Sequence, residues 1–272
     1  MRRSFVAALA LTLGLAACSS GGTTSGPTAS STGIRPSASS GPPTGSGPST
    51  GAGTATSTAS PQGSSGSATS AQTSFAYVPL WPFGSVAAAQ AWQREAAAGG
   101  HQPWRLDAGE VAVAFARQYL GFTEIDHVVR RTVTADDAHV TVGYTVAGAT
   151  GTAGVIHLVR IGSGAGRPWE VVGTDDTVTF SLTRPRYGST VAGAITVGGR
   201  IAGVDESIRV TARQPSGIVA GYCCLPAGAP VLWSVPLRLP ATLTGPLTIV
   251  ASTGGHLAAV ERFAVTGVHS GR

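Results

Sequence analysis

Lysine and asparagine are absent from this 272-residue chain, cysteine occurs three times, methionine once, and charged residues make up only 11%. Each shortage excludes something. Without asparagine there is no N-glycosylation sequon. The cysteines, at 18, 223 and 224, form no CxxC pair and no Cys/His cluster at zinc spacing. There is no GxSxG elbow, HExxH pair or P-loop, and "GSGAGR" at 162–167 lacks the third glycine of a dinucleotide loop. The sequence therefore assigns no catalytic residue, no cofactor and no metal ligand. Every basic side chain except histidine is arginine. Of the 18, Arg2, Arg3 and Arg35 precede residue 74, which leaves 15 against 13 acids, a net of +2 for the remainder. With so small an excess, and no arginines interleaved with aromatics, nucleic acid is not an expected partner.

Long apolar runs are also missing. Phe5 to Ala17 is the one candidate, too short for the about 20 helical residues that cross a bilayer. Behind Arg2 and Arg3 it has the length of a signal-peptide core, with small residues at its end. Leu15-Ala16-Ala17-Cys18 resembles the bacterial lipobox, in which the thiol takes a diacylglycerol and becomes the mature N-terminus. The resemblance implies a signal peptide over 1–17, lipidation at Cys18, and a place on the extracytoplasmic face of the cell membrane. Two acyl chains on one residue give stable anchoring where one is marginal.

Residues 18–73 are almost entirely Ser, Thr, Gly, Pro and Ala, with Ile34 the single large aliphatic residue. Such a stretch cannot bury enough apolar surface to offset the entropy of ordering, so it is expected to be a disordered tether. About 55 flexible residues give a root-mean-square reach of roughly 40 Å. Its composition also resembles O-glycosylated stalks.

Beyond the tether the periodicity predicts two regions. In 74–178, Ser85 caps an Ala-rich helix stopped by Gly99-Gly100, and Asp107 caps a second helix with Glu110 at N3 and a Leu106/Val111 staple. Period-two segments follow at 127–134, 139–146, 154–161 and 168–173, separated by Asp136-Asp137 and glycine-rich turns. Helices before an antiparallel meander give an α+β domain that resembles the cystatin-like and NTF2-like cones. In 179–272 helical periodicity disappears, and β-rich runs at 178–183, 194–201, 206–213, 230–239, 246–252 and 258–266 predict a β-sandwich with its own core.

Within that second region, "RPRYGSTVAGAITVGGRIAGVDESIRVTARQ" (184–214) resembles the immunoglobulin-like domain of bacterial spore-germination and related envelope proteins. Pro185, Gly188, Ile195, Val197, Gly199 and Glu206 fit its pattern, as do Trp233 with "SVPLRLP" and "GPLTIVASTGG". "GIVAGYCCLPAGAP" stands as an insertion. The family is a recognition module without catalytic residues, which implies a partner among envelope proteins or cell-wall components. The rival expectation is an enzyme or small-ligand carrier with a pocket in 74–178.

Cys223 and Cys224 admit three readings: a vicinal disulfide, buried free thiols, or metal or redox chemistry. Neighbouring Cα atoms lie about 3.8 Å apart, below the usual 4.4–6.8 Å or so of a disulfide. His139 and His157 are the one histidine pair expected to share a face on neighbouring strands, most simply as polar-face residues; Asp136-Asp137 and Asp175-Asp176 read as turns. Tyr77, Trp81, Phe83, Trp92 and Trp104 are expected to staple helices to the sheet or to line a groove.

Overall fold

The computed structural model describes residues 75–271 except 101, 204–205 and 227–230. The expected signal segment, Cys18 and the tether lie outside these residues. The described chain is mostly β and belongs to one compact unit.

Helix α1 (Val86–Gly99) starts where Ser85 Oγ accepts from the Ala88 N–H at 3.2 Å and stops at Gly100, whose left-handed φ of 63° turns the chain out. Helix α2 (Ala108–Ala114) starts at Asp107, whose carboxylate accepts from Gly109 N at 2.7 Å and Glu110 N at 3.0 Å. The expected staple is not what fixes this end. Leu106 remains 42% exposed, and its carbonyl accepts from Trp169 Nε1 at 3.1 Å. After Ala114 the helix widens into a π-turn over Phe115–Leu120, ending at Gly121. That widening buries two adjacent pairs, Phe115–Ala116 and Tyr119–Leu120.

Strands β1 (His127–Val133), β2 (Asp137–Val146), β3 (Ala149–Arg160) and β4 (Trp169–Thr174) form an antiparallel meander in sequence order. The β2–β3 hairpin closes on Ala147-Gly148, both at positive φ, as a two-residue turn needs to match strand twist. Alternate residues Ala138, Val140 and Val142 of β2 and Ile156 and Leu158 of β3 join Val111, Ala112 and Phe115 of the helical segment in one core.

The second region contributes β5 (Thr190–Val191), β6 (Ala194–Ile201), β7 (Ile208–Gln214), β8 (Gly217–Leu225), β9 (Val231–Arg238), β10 (Gly245–Thr253) and β11 (Arg262–Ser270). A five-stranded sheet runs β5-β11-β10-β7-β8, and β6 pairs with β9 in a second. All pairs but the short β5–β11 contact are antiparallel. Val197, Trp233, Val235 and Leu237 from one sheet meet Ile208, Val210, Leu247 and Ile249 from the other, which is the packing of a β-sandwich. Strand ends move, with β3 beginning at Ala149 instead of 154 and β11 covering Arg262–Ser270 instead of 258–266, and two segments differ in kind from the sequence expectation. The stretch singled out as an insertion supplies an entire strand, β8, because its residues pair with β7 across a tight hairpin. Residues 178–183 form only bridges to β6, at Phe180 and nearby Arg184, instead of a strand.

The outer face of the five-stranded sheet is covered by the first region. Val250, Phe263 and Val265 join the core built by α2 and the meander, and Tyr119 Oη hydrogen-bonds Thr248 Oγ1 at 2.9 Å. The sandwich thus has an inter-sheet core and a further apolar face shared with residues 75–178.

Candidate functional site

On the meander face opposite α2, period-two geometry gathers titratable side chains. His139 of β2 lies directly opposite His157 of β3, and their rings stack at 4.6 Å and 9°. Asp137 is two residues before His139 and therefore projects from the same face. Its carboxylate contacts both rings, Oδ1 to His139 Nε2 at 2.9 Å and Oδ2 to His157 Nε2 at 2.8 Å. A second carboxylate arrives from the chain just after β4: Asp175 Oδ2 lies 2.7 Å from His139 Nδ1. Asp175 is placed there by its own backbone, whose N–H donates to Val155 O at 2.9 Å. Tyr77 packs edge-on against His157 at 5.6 Å. The four side chains are 22–40% exposed, and among the described residues no arginine pairs with Asp137 or Asp175.

The expectation that His139 and His157 share a face on neighbouring strands is met. Asp137 and Asp175, read from sequence as turn residues, prove to be the acidic half of the same cluster. Asp137 could have been found by continuing the period-two pattern one step back from His139. Asp175 could not, because its position depends on the β3–β4 register, which shifts between His157 and Leu158.

A separate open groove of about 850 Å³ runs between α2 and β1. Its charges are largely committed to one another: Arg131 pairs with Asp107 at 3.1 Å, and His127 with Asp126 at 2.7 Å. Burial alone would raise the Asp107 carboxyl, but the Glu110 and Gly109 N–H groups and the Arg131 guanidinium outweigh it and hold it below its ordinary value. Asp107 is thereby a helix cap and not an acid poised near neutrality.

One group is so poised. Glu170 of β4 is fully buried, with Oε2 accepting from Phe83 N at 3.1 Å and Oε1 from Gly84 N at 3.0 Å. Burial pushes its carboxyl up to about 8, against the opposing effect of those N–H donors and of the nearby Arg105 charge. It clamps the 78–84 segment, which bridges β4 through Trp81 and Val171. The aromatics of this end behave as staples: Trp81 stacks on Trp104, and Phe83 packs on Trp92 with Arg105 over its ring at 4.7 Å.

Cys223 and Cys224 sit in β8, at the sheet edge, with their sulfur atoms against each other. The β7–β8 register shifts beside them, since Ile208 faces Leu225 while Val210 faces Tyr222, so the pair occupies a bulge in an edge strand. Purified aerobically, the chain is expected to show no free thiol at these positions until reduced, and then two. Mass spectrometry with a thiol-blocking reagent before and after reduction reads this. Two blockable thiols in the untreated protein would discard the disulfide. Reduction should leave the β-type circular dichroism nearly unchanged, because a loop of minimal length removes little unfolded-state entropy.

No family model, no curated protein and no solved structure matches the chain.

Proposed function

We propose that the chain is a lipid-anchored extracytoplasmic lipoprotein whose β-rich part is a non-catalytic binding or scaffold module of the cell envelope. The observation that carries the reading is Cys18 at the end of a short apolar run, followed by a Ser/Thr/Gly/Pro stretch and then a compact β unit. An anchor, a spacer and a recognition module are the three parts such a protein needs. The partner is another envelope protein or a cell-wall component.

In finer detail, residues 74–178 make an α+β domain of the cone-like kind, and 179–272 an immunoglobulin-like domain related to that of the spore-germination proteins. Supporting the second reading, Gly199 of the quoted pattern lies where the 181–182 backbone crosses β6, and Gly188 adopts a φ of 71°. Both positions have a physical demand for glycine. The α2–β1 groove favours one alternative, a carrier of a small ligand seated against Arg117 and Glu110.

The anchor is tested by Cys18→Ala. The variant is expected to leave the membrane fraction, or to stall before maturation, and to incorporate no labelled fatty acid. Unchanged retention and labelling would overturn the reading. Crosslinking in intact cells then identifies what the module holds.

A further inference from the structure

His139 contacts carboxylates through both ring nitrogens, Nδ1 to Asp175 at 2.7 Å and Nε2 to Asp137 at 2.9 Å. A neutral imidazole has one N–H and one lone pair, so it cannot donate to both. With its proton on Nδ1 the ring satisfies the Asp175 contact. That leaves the Nε2 lone pair directed at the Asp137 carboxylate, a meeting of two acceptors. His157 Nε2 reaches the other oxygen of the same carboxylate at 2.8 Å. Either a second ring proton or a metal cation among the three groups resolves the conflict, and the convergence of a second imidazole nitrogen on the same carboxylate suits the metal. Two stacked imidazoles and a carboxylate then act as ligands, while Asp175 fixes the tautomer and orientation of one ring, the usual arrangement behind a metal-bound histidine.

We propose that Asp137, His139 and His157 form a site for a divalent transition-metal ion of the zinc class, with Asp175 as its positioning residue. This goes beyond the proposed envelope role and does not depend on the lipid anchor. Their ligand atoms all lie within 4.8 Å of one another. Metal–ligand bonds of about 2.0–2.2 Å in a tetrahedral set require roughly 3.3 Å between ligands, so the 2.8 and 2.9 Å Asp137–histidine contacts open slightly while the wider separations close, an adjustment within reach of side-chain rotation on a part-exposed sheet face. Two nitrogens and one oxygen suit zinc and its first-row neighbours. Calcium is disfavoured, because it takes about six to eight oxygens. Three protein ligands leave one coordination position, which opens to solvent and admits water or a donor from a partner.

The same cluster explains its own construction. Asp137 and His139 are held at i and i+2 by strand geometry, and His157 is fixed opposite by the β2–β3 register. All three ligands therefore sit on rigid backbone instead of on a loop, which favours a preorganised site.

The test uses the full chain without a polyhistidine tag, stripped with a chelator and titrated with Zn²⁺ against a zinc-binding chromophore. Saturable binding of one ion per chain is expected. Asp137→Asn and His157→Ala should abolish it, and Asp175→Asn should weaken it about 10–100-fold at unchanged stoichiometry. His256→Ala, in the β10–β11 connection of the other sheet, should bind as the parent does. Circular dichroism establishes that each variant is folded. Cobalt substitution supplies a measurement independent of any variant: intense visible d–d bands of a low-coordinate N/O site are expected. The proposal is overturned by absence of stoichiometric zinc binding in the parent chain or by equal affinity in folded Asp137→Asn. A thiolate-to-cobalt charge-transfer band at one ion per chain would also overturn it, since that band would place the ion on a cysteine.

Discussion

Replacing Gly199 by alanine should cost the fold about 3 kcal/mol or more, among the largest effects expected of any single methyl group in this chain. At Gly199 of β6 a Cβ atom would overlap the Ser181 carbonyl oxygen and come within 2.6 Å of the carbon that bears it, with Leu182 Cα at 3.1 Å. Nothing there yields easily. The crossing segment is tied to the same strand by Ser181 N–H to Arg200 O at 3.0 Å and Thr183 N–H to Gly198 O at 2.9 Å. Moving it away would break those bonds and lift Phe180 off Trp233, whose rings stack at 6.0 Å over the sandwich core. Denaturant unfolding of Gly199→Ala is the measurement. Gly221→Ala serves as the control, since the nearest atom to its added Cβ is at 3.7 Å, and a change within roughly 0.5–1 kcal/mol is expected. Equal stability of the two variants would show that the 181–182 crossing is loose.

The second large effect is a pH dependence of stability set by Glu170. Its carboxyl in the folded chain titrates at about 8, against 4.5 ordinarily, because burial penalises the charged form more than the Gly84 and Phe83 N–H groups and Arg105 favour it. Between those values the native state keeps a proton that the unfolded chain releases. The stabilisation is therefore full below about pH 4.5, is lost as the pH rises towards 8, and stays lost above it. The slope is about 1.4 kcal/mol per pH unit, on the order of 3–5 kcal/mol across the window. Glu170→Gln cannot ionise and should lack this decline. At pH 5 it should be less stable than the parent by about 1–2 kcal/mol, since one of the two N–H donors then faces an amide NH₂. Unfolding midpoints at pH 5, 6.5 and 8.5 for both proteins decide the matter. Parallel profiles would mean that Glu170 is ionised in the fold and held by Arg105.

What local chemistry determines was legible in the sequence. Ser85 and Asp107 are caps because a short oxygen-bearing side chain before a helix satisfies free N–H groups there, and both accept those bonds in the structure. The start of β2 follows from period-two alternation, which selects one face for burial without reference to the rest of the chain, while β4 is legible as a short apolar run between turns. That His139 and His157 share a face was legible for the same reason.

Tertiary structure alone decided the remainder. The π-turn at Phe115–Leu120 buries two adjacent pairs, a pattern that the 3.6-residue helical period does not encode. Strand β8 was hidden because an exposed edge strand with glycine, tyrosine and two cysteines has little apolar alternation to display. Glu170 falls inside a short apolar run as an ordinary exposed-looking acid, and only the docking of residues 83–84 on β4 makes it a buried clamp. Asp175 likewise becomes a partner of His139, 36 residues away, through the shifted β3–β4 register and its N–H bond to Val155. Periodicity reports which way a side chain faces. Which other side chains it meets depends on register and layer packing, and these are fixed only when the separate strands come together.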